Sequence, residues 1–182
     1  QWPIMVESPN EAPANPDDEG ALHRRQAILA NNSVWDLYGS RTYGPDDVDE
    51  LLGRAYAAAY HWRRASGSTP TNAARASWLL SRCHAVLGHG ELALHHAEQS
   101  ALIVERAGLQ DFDLAYAYEA RARALACLNR MDEAAAVLAL ACAVEVADPD
   151  DRSIVESDIT TEPWFGLTHQ NNPAKSTTSG GC

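Results

Sequence analysis

AARASWLLSRCHAVLGHGELALHHAEQSALIVERAG, residues 73–108, is followed five residues later by LAYAYEARARALACLNRMDEAAAVLALACAVEVADP, residues 114–149. Each stretch reads as a helix, a tight turn and a second helix. In the first, Ala76, Leu79, Leu80, Cys83, Val86 and Leu87 fall on one helical face, Gly88-His89-Gly90 turns the chain, and Leu92, Ala93, Ala97, Ala101 and Val104 carry a return helix to Gly108. In the second, Asp111 is expected to cap a helix through Ala117, Ala120, Ala124, Cys127 and Leu128. Asn129-Arg130 turns it, and Ala134 to Ala147 returns to a stop at Pro149.

A shift of 41 residues superposes the two without a gap. It carries Ala74, Ala76, Arg82, Ala85, Leu87 and Ala93 onto Ala115, Ala117, Arg123, Ala126, Leu128 and Ala134. It also carries Gly88 onto Asn129, both residue types that tolerate positive φ, and Gly67 onto Gly108 and then Pro149, so helix stops recur in phase. The fold class that follows is all-α, about three αα-hairpins of period 41 with a short C-terminal capping helix.

The flanks complete the unit. Gly44-Pro45-Asp46-Asp47 starts a long helix reaching Ser66, with proline in the first turn and acids at the positive end of the dipole. Val48, Leu51, Leu52, Ala55, Ala59 and Trp62 form its apolar stripe, and it reads as the return helix of an earlier, degenerate hairpin. Asp17 or Asp18 caps a preceding helix with Leu22, Ala27, Ile28 and Leu29 as apolar positions, and a short helical piece surrounds Val34, Trp35 and Tyr38. Beyond Pro149 a capping helix runs to about Thr160, with Ile154, Val155 and Ile159 facing inward and Pro163-Trp164-Phe165 finishing the cover. Ala134 to Ala147, apolar nearly all round, is expected to be buried on more than one side. The organisation is a flexible arm over 1–16, one helical-repeat domain over 17–167 and a disordered tail over 168–182.

Composition narrows the function classes. A net charge of −11 opposes binding to nucleic-acid phosphates or anionic membranes. No apolar run approaches the roughly 20 residues of a bilayer span, and Ile4-Met5-Val6 is too short for a signal-peptide core. The chain is expected to be soluble and cytoplasmic, its four cysteines reduced thiols rather than a disulfide or zinc framework. No cofactor motif is present.

Leu87-Gly88 and Ala93, with the small contacts Ala97 and Ser100 behind them, resemble the Leu-Gly and Ala positions of the tetratricopeptide (TPR) family. The resemblance covers roughly residues 45–160. Trp78-Leu79-Leu80-Ser81-Arg82 and the stretch from Asp111 to Glu119 also resemble short TPR-like actinobacterial proteins of unassigned function. A period of 41 against about 34 resembles the longer kinesin-light-chain-like hairpins, and Asn129 and Arg121 stand where the family prefers glycine and an apolar residue. No family clamp is matched residue by residue, so peptide specificity is not carried over.

What the resemblance does imply is a concave surface lined by the first helix of each hairpin. The faces opposite the apolar stripes carry Asn72, Arg75, Trp78 and Arg82 in one copy and Asp113, Tyr116, Glu119 and Arg123 in the next, and the 41-residue shift superposes the two sets. Two aromatic platforms, three guanidinium forks and two acids suit capture of a peptide or protein segment through an acidic or carboxylate anchor. The same residues, turned toward one another, make ion pairs between hairpins instead. A second function class places a small-molecule site or enzyme in the groove, with Glu119 or Asp113 as base and Tyr116 as donor. No Ser/His/Asp order, phosphate-cradling glycine loop or two-metal pattern supports it. A homo-oligomer is left open.

His61, His84, His89, His95 and His96 cluster in the middle of the chain, but their spacing lacks the i, i+4 pair and carboxylate of a zincin helix, and packing or solvated histidines are expected. The tail Ser176-Thr177-Thr178-Ser179-Gly180-Gly181-Cys182 offers a third reading, a modifiable segment presented by a carrier domain, against a plain flexible terminus.

Overall fold

A computed structural model of the chain describes residues 16–39 and 42–167; the N-terminal arm, all but its last residue, and the C-terminal tail lie outside them. The described residues contain helices and no strand: α1 (Pro16–Ser33), a 3-10 turn (Val34–Asp36), α2 (Pro45–Trp62), α3 (Pro70–Val86), α4 (Gly90–Ala107), α5 (Phe112–Cys127), α6 (Met131–Ala143) and α7 (Pro149–Thr160). Each helix packs on the next from α1 to α6, α3 reaches past α4 to α5, and α7 lies on α5.

The 41-residue shift holds in the backbone itself. At the α3–α4 turn the amides of Gly88, His89 and Ala93 donate to the carbonyls of Ala85, His84 and His89, each at 2.9 Å. At the α5–α6 turn Asn129, Arg130 and Ala134 donate to Ala126, Leu125 and Arg130 at the same distance. Both are left-handed helix caps, with φ of 77° at Gly88 and 58° at Asn129. An asparagine can stand in for the glycine because its short side chain tolerates that region.

Between the hairpins the core is built from small residues. Ala85, Ala93, Ala97, Ala120 and Ala124 form one buried cluster, and the buried hydroxyls of Ser81 and Ser100 donate to the carbonyls of Ala93 and Ala74 at 2.8 and 2.9 Å. Such contacts let helix backbones come close and leave no buried hydroxyl unpaired. Larger side chains fill the two ends, Leu51 and Leu79 near α2, Leu125, Leu138 and Trp164 beyond α5.

Several expectations are revised, among them that Ile154 faces inward with Val155 and Ile159: Ile154 is 50% exposed. α2 ends at Trp62, with the chain turning before Gly67. α6 ends at Ala143 rather than Ala147: the β-branched Val144 leaves the helix into extended backbone and Val146 drops into the core, where Arg152 donates to its carbonyl at 2.7 and 2.9 Å. Asp111 stands at the N-cap of α5 as expected, but at φ 61° its side chain makes no capping bond; its carboxylate accepts instead from the Ala147 amide at 3.2 and 3.3 Å, pinning the chain after α6. Only Ala134, Leu138 and Ala141 of α6 are buried, and Leu140 is half exposed, since α7 crosses α5 and leaves that face of α6 open.

A methyl group added at Gly90 would lie 2.7–2.8 Å from Leu128 of the next hairpin, whereas one at Gly53, inside α2, meets nothing within 4 Å. Gly90→Ala should therefore lower stability by about 1–3 kcal/mol by overpacking, and Gly53→Ala should raise it by about 0.5–1 kcal/mol. Urea denaturation of the two variants checks the pair.

Candidate functional site

α3 and α5, the first helices of the two regular hairpins, run side by side, and their shared face holds seven of the eight expected groove residues. The eighth, Asn72, is at the start of α3, where its carboxamide oxygen accepts from both the amide and the hydroxyl of Thr69 at 3.0 Å. That is a capping box, and it occupies the side chain.

The remaining seven divide by depth. Arg82, Glu119 and Arg123 are 2%, 0% and 0% exposed and form a buried knot. One Glu119 oxygen accepts from Arg82 at 2.9 Å and Arg123 at 2.7 Å, and the other accepts from the Trp78 indole N–H at 3.0 Å. Trp78 and Glu119 are themselves equivalent positions under the 41-residue shift, so the repeat here joins its two copies directly. Arg82 also donates to the Tyr38 hydroxyl at 3.0 Å. Arg123 donates to the carbonyls of Thr161, Pro163 and Asp158 at 2.7–3.0 Å and stacks over the buried Trp164 ring at 4.1 Å. Burial alone pushes the Glu119 carboxyl up, but Arg82, Arg123 and the indole N–H outweigh it, and the net shift is below the ordinary carboxylate value. Burial pulls the Arg82 guanidinium down, and Glu119, Tyr38 and Asp158 more than reverse that.

Above the knot lies a cavity of about 260 Å³. Its walls are mostly aromatic and aliphatic: Trp35 from the 3-10 turn, Trp78 and Ala74 from α3, Phe112 and Tyr116 from α5, and Ile154 from α7. Trp78 meets Tyr116 edge-on with centroids 4.7 Å apart, and Phe112 flanks Tyr116 at 4.6 Å. Asn31 and Ser100 add polar atoms, and Asp158 accepts from the Tyr116 hydroxyl at 2.6 Å. At the rim Arg75 grips Asp113 through two hydrogen bonds, 2.7 and 3.3 Å, and lies over the Phe112 ring. Burial, then the bond to Asp158, raises the Tyr116 phenol well above its usual range.

Arg75, Trp78, Asp113 and Tyr116 thus line the cavity, and Arg82, Glu119 and Arg123 lie beneath it. The charges close among themselves: three guanidiniums, Arg75, Arg82 and Arg123, face three carboxylates, Asp113, Glu119 and Asp158. Every fork expected to hold a ligand carboxylate is engaged by the chain itself. Glu119, proposed as a base, is not a cavity wall. Trp35, Phe112, Ile154 and Asp158 were not among the expected groove residues; the 41-residue shift carries Ile154 onto Asp113, one of that set, but pairs Trp35, Phe112 and Asp158 with Ala76, Thr71 and Ala117. Among the described residues, no three His, Cys, Asp or Glu side chains converge as a metal site requires, and no helix is long and apolar enough to cross a membrane.

No protein-family model, curated protein or solved structure matches the chain.

Glu119→Gln keeps the shape of the knot but leaves the buried Arg123 without a counter-charge and Arg82 with only Asp158, 4.0 Å away. It should cost about 3–5 kcal/mol. A triple variant replacing Arg82, Glu119 and Arg123 with Met, Leu and Met should recover most of that loss, and calorimetric melting compares the two.

Proposed function

We propose that the chain is a TPR-like helical-repeat scaffold that captures a peptide or protein segment on the α3–α5 face, seating one bulky, uncharged apolar side chain in the cavity. The in-phase hairpins support the scaffold reading, and the cavity is the observation that carries the binding. Its volume of about 260 Å³ falls just short of the roughly 300–1,000 Å³ typical of drug-sized ligand sites, and suits a single large side chain. Its aromatic walls reward apolar burial, and its closed charge set leaves no net charge to attract an acidic anchor. Burying an aromatic side chain of about 150–250 Å² yields roughly 4–6 kcal/mol before the cost of association. Adding rim hydrogen bonds to the peptide backbone brings the affinity to the order of micromolar.

A second reading, a small apolar molecule as ligand, is favoured by the enclosure: walls come from α1, the 3-10 turn, α3, α4, α5 and α7. The two separate in one experiment. A displayed peptide library panned on the protein should enrich a single aromatic or large aliphatic position, and Ile154→Arg should weaken the selected peptide at least about tenfold, because its side chain projects into the cavity mouth. Ile154 is 50% exposed, so the melting temperature should not change. Unselective panning, together with a metabolite-induced thermal shift abolished by the same variant, would favour the small molecule; peptide binding indifferent to Ile154→Arg would remove the cavity from the function.

A further inference from the structure

On the side of α3 facing away from the knot, four aromatic side chains from three helices and a turn form a hydrogen-bonded chain. The Tyr56 hydroxyl of α2 meets His84 Nε2 of α3 at 3.0 Å and His96 Nε2 of α4 at 3.2 Å. His84 Nδ1 meets His89 Nδ1, at the head of α4, at 3.3 Å. The His84 and His96 rings are stacked, 5.4 Å apart and 7° from parallel. Neutral rings satisfy every contact: His84 donates from Nδ1 to His89 and accepts from Tyr56 at Nε2, while His96 donates from Nε2 to Tyr56.

A proton added to this arrangement has no good place. His84 is 2% exposed, and the groups facing it are Tyr56 from α2, His89 and His96 from α4 with His95 beside them, and, at the same level of α5, the Cys127 thiol lying against the Ala85 carbonyl. Among the described residues none of the four histidines has a carboxylate partner. Burial, then His96 and His89, pull the His84 imidazole down to about 4, and burial with His95 lowers His96.

We propose that Tyr56, His84 and His96 are an acid-sensitive latch holding α2 against the α3–α4 hairpin, and that proton uptake by the two histidines releases α2 together with the Trp35 wall of the cavity. α1 and the 3-10 turn pack on α2, and Trp35 faces Trp78 across the cavity at 6.1 Å. The release of α2 stands on the seam alone; its effect on a ligand rests on the peptide-binding reading above.

The sign follows from proton linkage. In the released state both imidazoles return to the ordinary value of about 6.5, whereas the latched state disfavours the proton on each. Release is therefore favoured as pH falls below 6.5. Between pH 7.5 and 5.5 the population of the released state should grow up to about tenfold for each histidine, or about a hundredfold for both.

Amide hydrogen exchange on the unliganded protein, corrected for intrinsic rates, tests this. Peptides covering α2 and the 3-10 turn should become up to about a hundredfold less protected at pH 5.5 than at 7.5, with α5 and α6 unchanged. His96→Gln should remove up to about tenfold of that, and His84→Gln with His96→Gln should remove the seam's whole share, leaving only what the His23–His61 contact between α1 and α2 contributes; if the double variant does not fold, the single variant carries the test. Unchanged protection of α2, an equal loss in α5 and α6, or a full pH response in His96→Gln would overturn the latch. Because no ligand is present, failure here leaves the cavity reading intact, and a working latch in a protein that captures no peptide defeats that reading alone.

Discussion

Glu119 is the joint on which the arrangement of the described helices turns. It is a fully buried carboxylate, and such a group is tolerated only where hydrogen bonds and opposite charge replace the water it has lost. Arg82 brings α3 to it, Arg123 comes from one turn further along its own helix, and the Trp78 indole supplies the third donor. Because the acceptors on Glu119 are directional, α3 and α5 can meet in only one axial register. Apolar packing between alanine-rich faces would accept several, since a row of methyl groups looks much the same after a slip of one turn.

The knot also organises what lies outside the repeat. Arg123 spends its remaining N–H groups on the carbonyls of Asp158, Thr161 and Pro163, so the end of α7 and the segment after it are drawn over α5 rather than over α6. Arg82 reaches the other way, to Tyr38 beyond the 3-10 turn. Two flanking elements of irregular sequence are thereby fixed on opposite sides of one face, and the cavity is the gap between them. The cavity is thus a product of polar anchoring below and aromatic walls above.

The regular part of this was legible in the sequence because it depends on local signals. Positive-φ residues at Gly88 and Asn129, prolines at Pro45 and Pro70, and the 3.6-residue spacing of apolar positions each act within a few residues, and the helices follow them. The residues Arg75, Trp78, Arg82, Tyr116, Glu119 and Arg123 were also legible as a shared face. Their depth was not. Whether an arginine on such a face meets solvent or a buried acid depends on which segment covers it, and the cover here is Asp158 and Trp164; Trp164 falls 41 residues after Arg123, on the period itself, but a spacing does not tell which side chain closes over which. The ends of α6 and the role of Asp111 escaped for the same reason, since Val146 and the Ala147 amide are tertiary partners rather than local ones.

The two sides of the cavity are held by groups with opposite responses to acid. On the α5–α7 side the knot depends on an ionised carboxylate whose pKa is held below its ordinary value, so its contribution is complete above about 4.5 and fades only as pH falls below that. On the α2 side the seam depends on neutral imidazoles, whose contribution is complete above about 6.5 and fades as pH falls toward 4. Between those limits one wall is loosened while the other keeps its full strength. Mild acid therefore does not act on this fold as a uniform destabilisation: it acts on the hinge between the irregular first hairpin and the regular pair, leaving Trp78, Tyr116 and the knot beneath them in place.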